Sequence, residues 1–399
     1  MVVRSGLEAL VDDGFSLLAG QRIGLMTNPS AVDRRLTSAY RLFATQPAVN
    51  LTALFAPEHG LAGAAPDAEK IASTTDPHTG LPVYSLYGDT YRPTASMLQA
   101  VDALVCDIQD IGVRYYTFTW TVSHILEAAG EHGVRVVILD RPNPLGGAVI
   151  DGPGLDREMA SFVGRFPVPV QHGMTLGELA RMINATWNPT PADLVIVPCA
   201  GWRREMIWDE TGLPWVSPSP NMPTLTTLRH YPGACLVEGT QLSEGRGTAL
   251  PFEIVGAPWI DPLALADRLN GEIWAEEMGA RFRPHTFQPF HSKWAGQTCH
   301  GVQATIADPS RWRPIHVWLG VIITLRALYP DHFAWLPEHP DTGVQHFDRL
   351  IGSASVRQEI EAGVTANEPV EAILAQITAQ WVDDCRAFAE ERRPFLLYD

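Results

Sequence analysis

Acidic, basic and amide side chains recur in this chain where a short apolar run has just ended. Arg22–Met26 runs into Thr27-Asn28-Pro29-Ser30, and Leu51–Phe55 into Pro57-Glu58-His59-Gly60. Ala103–Cys106 runs into Asp107-Ile108-Gln109-Asp110 with Arg114-Tyr115-Tyr116 close behind, and Val134–Leu139 into Asp140-Arg141-Pro142-Asn143. A positioned carboxyl group can give or take a proton in a transition state. A pair of them beside aromatic surfaces suits cleavage of a glycosidic bond, and a guanidinium fork suits a carboxylate on the ligand.

Three further clusters join these. His172 lies in Pro169-Val170-Gln171-His172-Gly173 and reads equally as a ligand hydrogen-bonder or a structural histidine. Asn221 sits in the turn-rich Ser217–Pro223 segment, either presented stiffly to a ligand or capping a turn. Glu244 and Arg246 alternate with glycines in Ser243–Gly247, which lets backbone approach a ligand closely. The tripeptide Glu-His-Gly occurs twice, at 58–60 and 131–133. The second copy ends a helical stretch, so Gly133 reads as a helix-terminating glycine and Glu131 as solvated.

The elements that must position these residues alternate. The strands are Arg22–Met26, Leu51–Phe55, Ala103–Cys106, Val134–Leu139 and Leu194–Val197, and most are short and wholly apolar. Between them the spacing predicts helices at Arg34–Thr45, Thr94–Val101, Tyr116–Glu131 and Thr175–Trp187, the last opened by a Thr175/Glu178 capping box. This pattern predicts an α/β domain around a mostly parallel sheet, whose ligands bind beyond the carboxyl ends of the strands. The polar clusters after the first four strands fall there, and Glu131 falls on the opposite edge. After Tyr231 come Gly- and Pro-rich loops, a helix from Pro262, and strands near Arg281–Phe287 and Gly301–Ala307. We therefore divide the chain into residues 1–232 and a smaller α+β domain, 233–399, whose late helices end near Ala389.

Composition narrows the function. At 46% hydrophobic and 19% charged residues, the 399-residue chain is a folded globular protein. Its net charge of −16 argues against nucleic-acid binding. The apolar stretch Val317–Leu325 is too short to span a bilayer, and residues 1–20 lack the pattern of a signal peptide, so a cytoplasmic protein is expected unless a leader was trimmed. Five cysteines with no CxxC pair point to reduced thiols. Dinucleotide, P-loop, nucleophile-elbow and HExxH motifs are absent, and the histidines show no metal-ligand spacing. No cofactor and no metal are expected.

At these motifs the chain resembles the NamZ-type exo-β-N-acetylmuramidases, formerly a domain of unknown function. The resemblance runs through TNPSAV at 27–32, APEHG at 56–60, LPVYSLYG at 81–88, DIQDIGVRYYT at 107–117 and LDRPNPLGG at 139–147. It continues through DGP at 151–153, PVQHGMTLGELA at 169–180, GLPWVSPSPNMPT at 212–224, YPGACLVEGTQLSEGRGT at 231–248, PFEIVGAPWID at 251–261 and FDRLIGSASVRQEIEAG at 347–363.

The resemblance implies a Rossmann-like amino-terminal domain, a smaller carboxyl-terminal domain and an active cleft between them. It also implies release of terminal N-acetylmuramic acid by hydrolysis of a β-1,4 bond, as in MurNAc–GlcNAc, in cell-wall recycling. The family's catalytic glutamate carries over to Glu58, with His59 placed to position it. Asp110, then Glu244, is the candidate second carboxylate, unless the substrate's 2-acetamido group serves instead. Arg114 or Arg246 would pair with the lactyl carboxylate. Asn28, Gln109, Arg141, Asn143, His172 and Asn221 are the expected hydrogen-bonders, and Tyr115 or Tyr116 a stacking surface. Rival readings are a metal-dependent amidase and a non-catalytic muropeptide-binding protein. Oligomeric state is left open.

Overall fold

The computed structural model describes residues 2–66, 69–340 and 342–399. The chain forms two units. In the first, seven strands are β1 (Arg22–Thr27), β2 (Asn50–Ala56), β3 (Thr74–Thr75), β4 (Pro82–Ser85), β5 (Ala103–Asp107), β6 (Arg135–Leu139) and β7 (Leu194–Val197). They form one sheet in the order β3-β4-β2-β1-β5-β6-β7. Every neighbouring pair is parallel except β3 with β4. All five residues of β5 are buried, as a central strand between helical layers requires. The chain builds outward from β1 through β2 to β4, then returns to β5 and builds the other way through β6 to β7. The reversal lies between β1 and β5. In such sheets a crevice for ligands opens there, beyond the carboxyl ends of the strands.

The helices differ from the sequence expectation mainly at their starts. The one expected from Arg34 begins at Ala39. Asp33 Oδ1 accepts the backbone N–H groups of Arg35 and Thr37, Leu36 is left-handed at φ 63°, and Ser38 then caps the helix. The stretch Thr94–Val101 shortens to Ala95–Leu98 behind a Thr94 cap. The helix expected from Tyr116 runs Phe118–His132 and ends on Gly133 at φ 66°, the glycine role expected of the second Glu-His-Gly. Thr175 and Glu178 form their capping box ahead of Leu176–Thr186. Ser5 and Glu8 form another ahead of Gly6–Asp12, a helix absent from the sequence reading although its signature was the same. The short strands β3 and β4 were also absent from it.

In the second unit three antiparallel strands, β8 (Ile254–Ala257), β9 (Ala280–Phe287) and β10 (Cys299–Ile306), lie in the order β8-β10-β9. Strand β8 falls inside the Gly- and Pro-rich segment expected to be loop. The helix Pro314–Leu328 forms the interior, with Ile315 and an unbroken buried run from Val317 to Leu325.

The division of the chain differs from a single boundary at 232/233. The first unit comprises Met1–Val149, His172–Pro223 and Glu390–Asp399, and the second Ile150–Gln171 and Thr224–Ala389. Helix Leu225–Ala234 belongs to the second unit because it packs on Pro314–Leu328, so closely that a Cβ on Gly233 would meet the Pro314 carbonyl oxygen at 2.0 Å. Segment 150–171 belongs there because Asp151 Oδ1 accepts the Trp381 indole N–H at 3.1 Å and lies 3.3 Å from His316 Nε2. Residues 390–399 return to the first unit. Tyr398 O–H donates to Asp140 Oδ2 at 2.6 Å, Leu397 N–H to Glu178 Oε1 at 2.8 Å, and Arg204 N–H to the Asp399 carbonyl at 2.7 Å.

Candidate active site

Glu58 stands in the turn that leaves β2, closed by the Gly60 N–H on the Pro57 carbonyl at 3.0 Å. The residue is buried, and its Oε2 accepts the Thr117 hydroxyl at 2.6 Å. Thr117 is the N-cap of Phe118–His132 but makes no side-chain cap bond, so its hydroxyl is available for the glutamate. His59 takes a left-handed φ of 67°, unusual for a residue with a Cβ. Its Nδ1 lies 2.8 Å from the Ala65 carbonyl and so carries the hydrogen. The imidazole thereby fastens the 59–65 loop to itself.

Asp110 leaves β5 and reaches the same helix. Its Oδ1 accepts the Thr119 hydroxyl at 3.1 Å and its Oδ2 the Gly112 N–H at 2.7 Å. Burial outweighs these donors and pushes its pKa up to about 6. Gly112 sits at φ +76° with the Asn143 amide only 2.4 Å from where a Cβ would be, so only glycine fits.

A chain of hydrogen bonds crosses the point where the strand order reverses. Asn28 Nδ2 donates to the Pro218 carbonyl at 3.0 Å, and Asn28 Oδ1 accepts the Ser30 N–H and hydroxyl at 3.0 and 2.5 Å. Ser30 Oγ accepts the Gln109 N–H at 3.2 Å, and Gln109 Nε2 donates to the carbonyls of Asp110 and Pro142. These bonds order the rim from β1 to β6 and pin the Ser217–Pro223 loop, in which Asn221 is half-buried.

Several expected ligand residues also hold the fold together. Arg141 makes a two-pronged pair with Asp107 at 2.6 and 3.0 Å and donates to the Val32 carbonyl at 3.1 Å, which uses its fork within the fold. Asn143 Nδ2 donates to the Met174 carbonyl and its Oδ1 accepts the Leu145 N–H, both at 3.0 Å. Asn28 is committed in the same way. Arg114 is buried, and its carbonyl accepts the Trp120 indole N–H at 2.6 Å. Tyr115 and Tyr116 are buried too, Tyr116 edge-on to Phe118 at 4.8 Å between centroids.

Glu244 and Arg246 belong to the second unit and form their own network. Lys293 Nζ donates to Glu244 Oε2 at 3.0 Å and to the carbonyls of Val237, Glu238 and Leu242. Arg246 donates to Glu238 Oε1 at 3.1 and 2.7 Å, approaches Glu244 at 3.6 Å and lies over the Phe252 ring at 4.9 Å. Burial raises the pKa of Glu238, but Arg246 and His346 outweigh it and hold the carboxyl well below the usual range.

Sequence reasoning did not single out Thr117, Thr119 or Ser30. Their hydroxyls are generic, and Thr117 is 59 positions from its glutamate. A cavity of about 760 Å³ opens beside the Glu58 turn, within the size range of small-molecule sites. His59, Gly60, Asn28 and Ser85 line it along with mostly apolar residues, and Glu58 does not. Among the described residues no three His, Cys, Asp or Glu side chains gather as a metal-binding group.

Two family models match the chain. The one for the N-terminal part of the exo-β-N-acetylmuramidase NamZ covers residues 23–226, and the one for its C-terminal part covers 229–398. The peptidoglycan β-N-acetylmuramidase NamZ of Bacillus subtilis (strain 168) is 43% identical over 396 residues, 99% of this chain and 91% of the relative. Two crystal structures of DUF1343 family proteins from Bacteroides fragilis NCTC 9343 share the fold. One aligns with a TM-score of 0.87 at 35% identity, covering 100% of this chain and 99% of the other. The second aligns at 0.75 and 29%, with the same coverage.

Proposed function

The chain belongs to the exo-β-N-acetylmuramidase NamZ family, and from that premise we propose how its residues release N-acetylmuramic acid from the non-reducing ends of peptidoglycan fragments. It is a glycoside hydrolase acting on peptidoglycan-derived saccharides. The observation that carries this is the 43% identity to a peptidoglycan muramidase along 99% of the chain.

Within this reading Glu58 is the general acid that protonates the departing glycosidic oxygen. Its support is the placement at the end of β2, tethered to the first turn of a helix. Asp110 is the second carboxylate, held to the same turn through Thr119. Glu244 is the weaker choice because Lys293 and Arg246 already engage it. For the lactyl carboxylate we assign Arg114, four residues beyond Asp110 in the segment that leaves β5, because a guanidinium fork matches a carboxylate; Arg246 lies in the second unit beside Glu238. Five free cysteines support a reducing, cytoplasmic setting as part of this proposal.

The test is product analysis on the disaccharide MurNAc–GlcNAc. Equimolar free MurNAc and GlcNAc are expected. No release, or release of a peptide from a muropeptide instead, overturns the reading.

A further inference from the structure

Two polar atoms of the first unit are oriented by the fold and then left without a partner among the described residues: Gln109 Oε1 and His172 Nε2. Gln109 is 2% exposed and His172 1%, and an unmade hydrogen bond at such burial is costly. The amide of Gln109 cannot turn over. Its nitrogen donates to the Asp110 carbonyl at 2.7 Å and the Pro142 carbonyl at 3.0 Å, and only the NH₂ end can satisfy two carbonyls. The leftover atom is therefore an acceptor.

His172 is fixed by the same logic. The Met174 N–H donates to its Nδ1 at 3.2 Å, so Nδ1 holds a lone pair and the hydrogen sits on Nε2. Arg392 grips the His172 and Gly173 carbonyls at 2.9 and 2.6 Å, and the His172 N–H reaches the Gly112 carbonyl at 3.4 Å. Burial, then Arg392 and Arg114 nearby, holds its pKa down to about 3, so the ring is neutral at working pH. The fold thus fixes a neutral acceptor on Gln109, at one end of the Gln109–Gly112 loop, and a neutral donor on His172, whose backbone N–H meets the carbonyl at the other end.

We propose that Gln109 Oε1 and His172 Nε2–H read the 2-acetamido group of the substrate sugar, the first accepting its amide N–H and the second donating to its carbonyl. The proposal rests on the muramidase reading. A secondary amide offers one donor, one acceptor and no charge, the complement of the two unspent atoms. A carboxylate would face a lone pair on Gln109, and an ammonium would face the N–H of His172. No proton moves in this contact. His172 and Gln109 set specificity, and proton transfer stays with Glu58.

The experiment measures binding of N-acetylmuramic acid and of its 2-hydroxy counterpart, the lactyl ether of glucose, to the full chain by calorimetry. The unmodified protein should prefer the acetamido sugar by at least about tenfold, because a site built around polar partners rejects the analogue that lacks them. In His172→Asn, Oδ1 can still accept from Met174 but no donor replaces Nε2, and the preference should fall below about threefold. His172→Gln, with its amide nitrogen near the Nε2 position, should restore much of it. Full preference in His172→Asn, or none in the unmodified protein, overturns the assignment. Nitrogen NMR of the unmodified protein gives a second readout: a single Nε2–H tautomer is expected across about pH 5–8, and protonation or the other tautomer in that range overturns it. Failure of the muramidase reading looks different, since neither sugar then binds and none is released; this proposal falls with it.

Discussion

Glu58 and Asp110 leave different strands and meet the first turn of one helix, each through a threonine hydroxyl, Thr117 for the first and Thr119 for the second. The two threonines are two residues apart, so one rigid element sets the spacing of both carboxylates. Such a tether keeps acid and partner in register without either strand end having to be stiff.

The tether has a kinetic signature. Thr117→Val should lower kcat about two- to tenfold with little change in KM, since an ordinary hydrogen bond is worth about 0.5–1.5 kcal/mol. Melting temperature should move little, because the Thr117 side chain does not cap the helix. Glu58→Gln should cost about two to four orders of magnitude, whereas Glu131→Gln in the second Glu-His-Gly should keep full activity. Normal turnover in Glu58→Gln would remove it as the acid.

Muramic acid should be preferred because of its lactyl carboxylate. A β-linked N-acetylmuramic acid substrate should be cleaved roughly thirtyfold or more faster than the N-acetylglucosamine compound, the usual scale for losing one partner of a charged pair. Arg114→Leu should erase most of that preference. Arg246→Leu should instead lower stability, because it removes the two-pronged partner of the buried Glu238 and leaves that carboxyl to His346, while Lys293 keeps Glu244 paired. A preference that survives Arg114→Leu moves the carboxylate site elsewhere.

On the acid side, four buried groups should partly cancel in the pH dependence of stability. His172 and His230 are buried neutral, with pKa values held down to about 3. Their contribution is full above the unfolded value near 6.5 and is lost as pH falls toward 3. Asp110 and Asp140 are raised to about 6 by burial, so theirs is full below the unfolded value near 3.9 and is lost as pH rises through 6. Two groups of each kind oppose one another between about pH 4 and 6. Asp140→Asn removes one falling contribution, so the unfolding free energy should then climb by up to about 1.4 kcal/mol per pH unit more steeply than in the unmodified protein. Denaturant titrations at several pH values check this, and an unchanged slope refutes it.

Glu58 chemistry as described needs no metal. Exhaustive chelation should leave the rate unchanged. Activity lost on chelation and regained with zinc would return the amidase reading.

The strand ends were legible because apolar runs in a parallel sheet stop abruptly at the strand ends, and Glu58, Gln109 and Asp110 follow those stops closely. What the residues there do was less legible. Arg141 and Asn143 have the types expected of ligand contacts, yet the same types hold loops, and their bonds to Asp107 and to the Met174 carbonyl leave no trace in local sequence. The threonine tethers escaped notice because a hydroxyl announces no partner in sequence. The 150–171 excursion escaped because its membership depends on Asp151 meeting Trp381 and His316, contacts between residues 230 and 165 positions apart that leave no trace in local composition.

The return of residues 390–399 to the first unit has a consequence for how the chain is made. A ribosome delivers β1 to β7 early, but the Asp140 carboxylate and the Cys199 amide then wait for the Tyr398 hydroxyl while residues 224–389 of the second unit are synthesised. Synthesis from the amino end therefore cannot close the first unit before the second has emerged. A fragment ending at Pro223 would lack these contacts permanently and would leave a buried acid partly unsatisfied, which makes nascent chains stalled in between natural clients for chaperones.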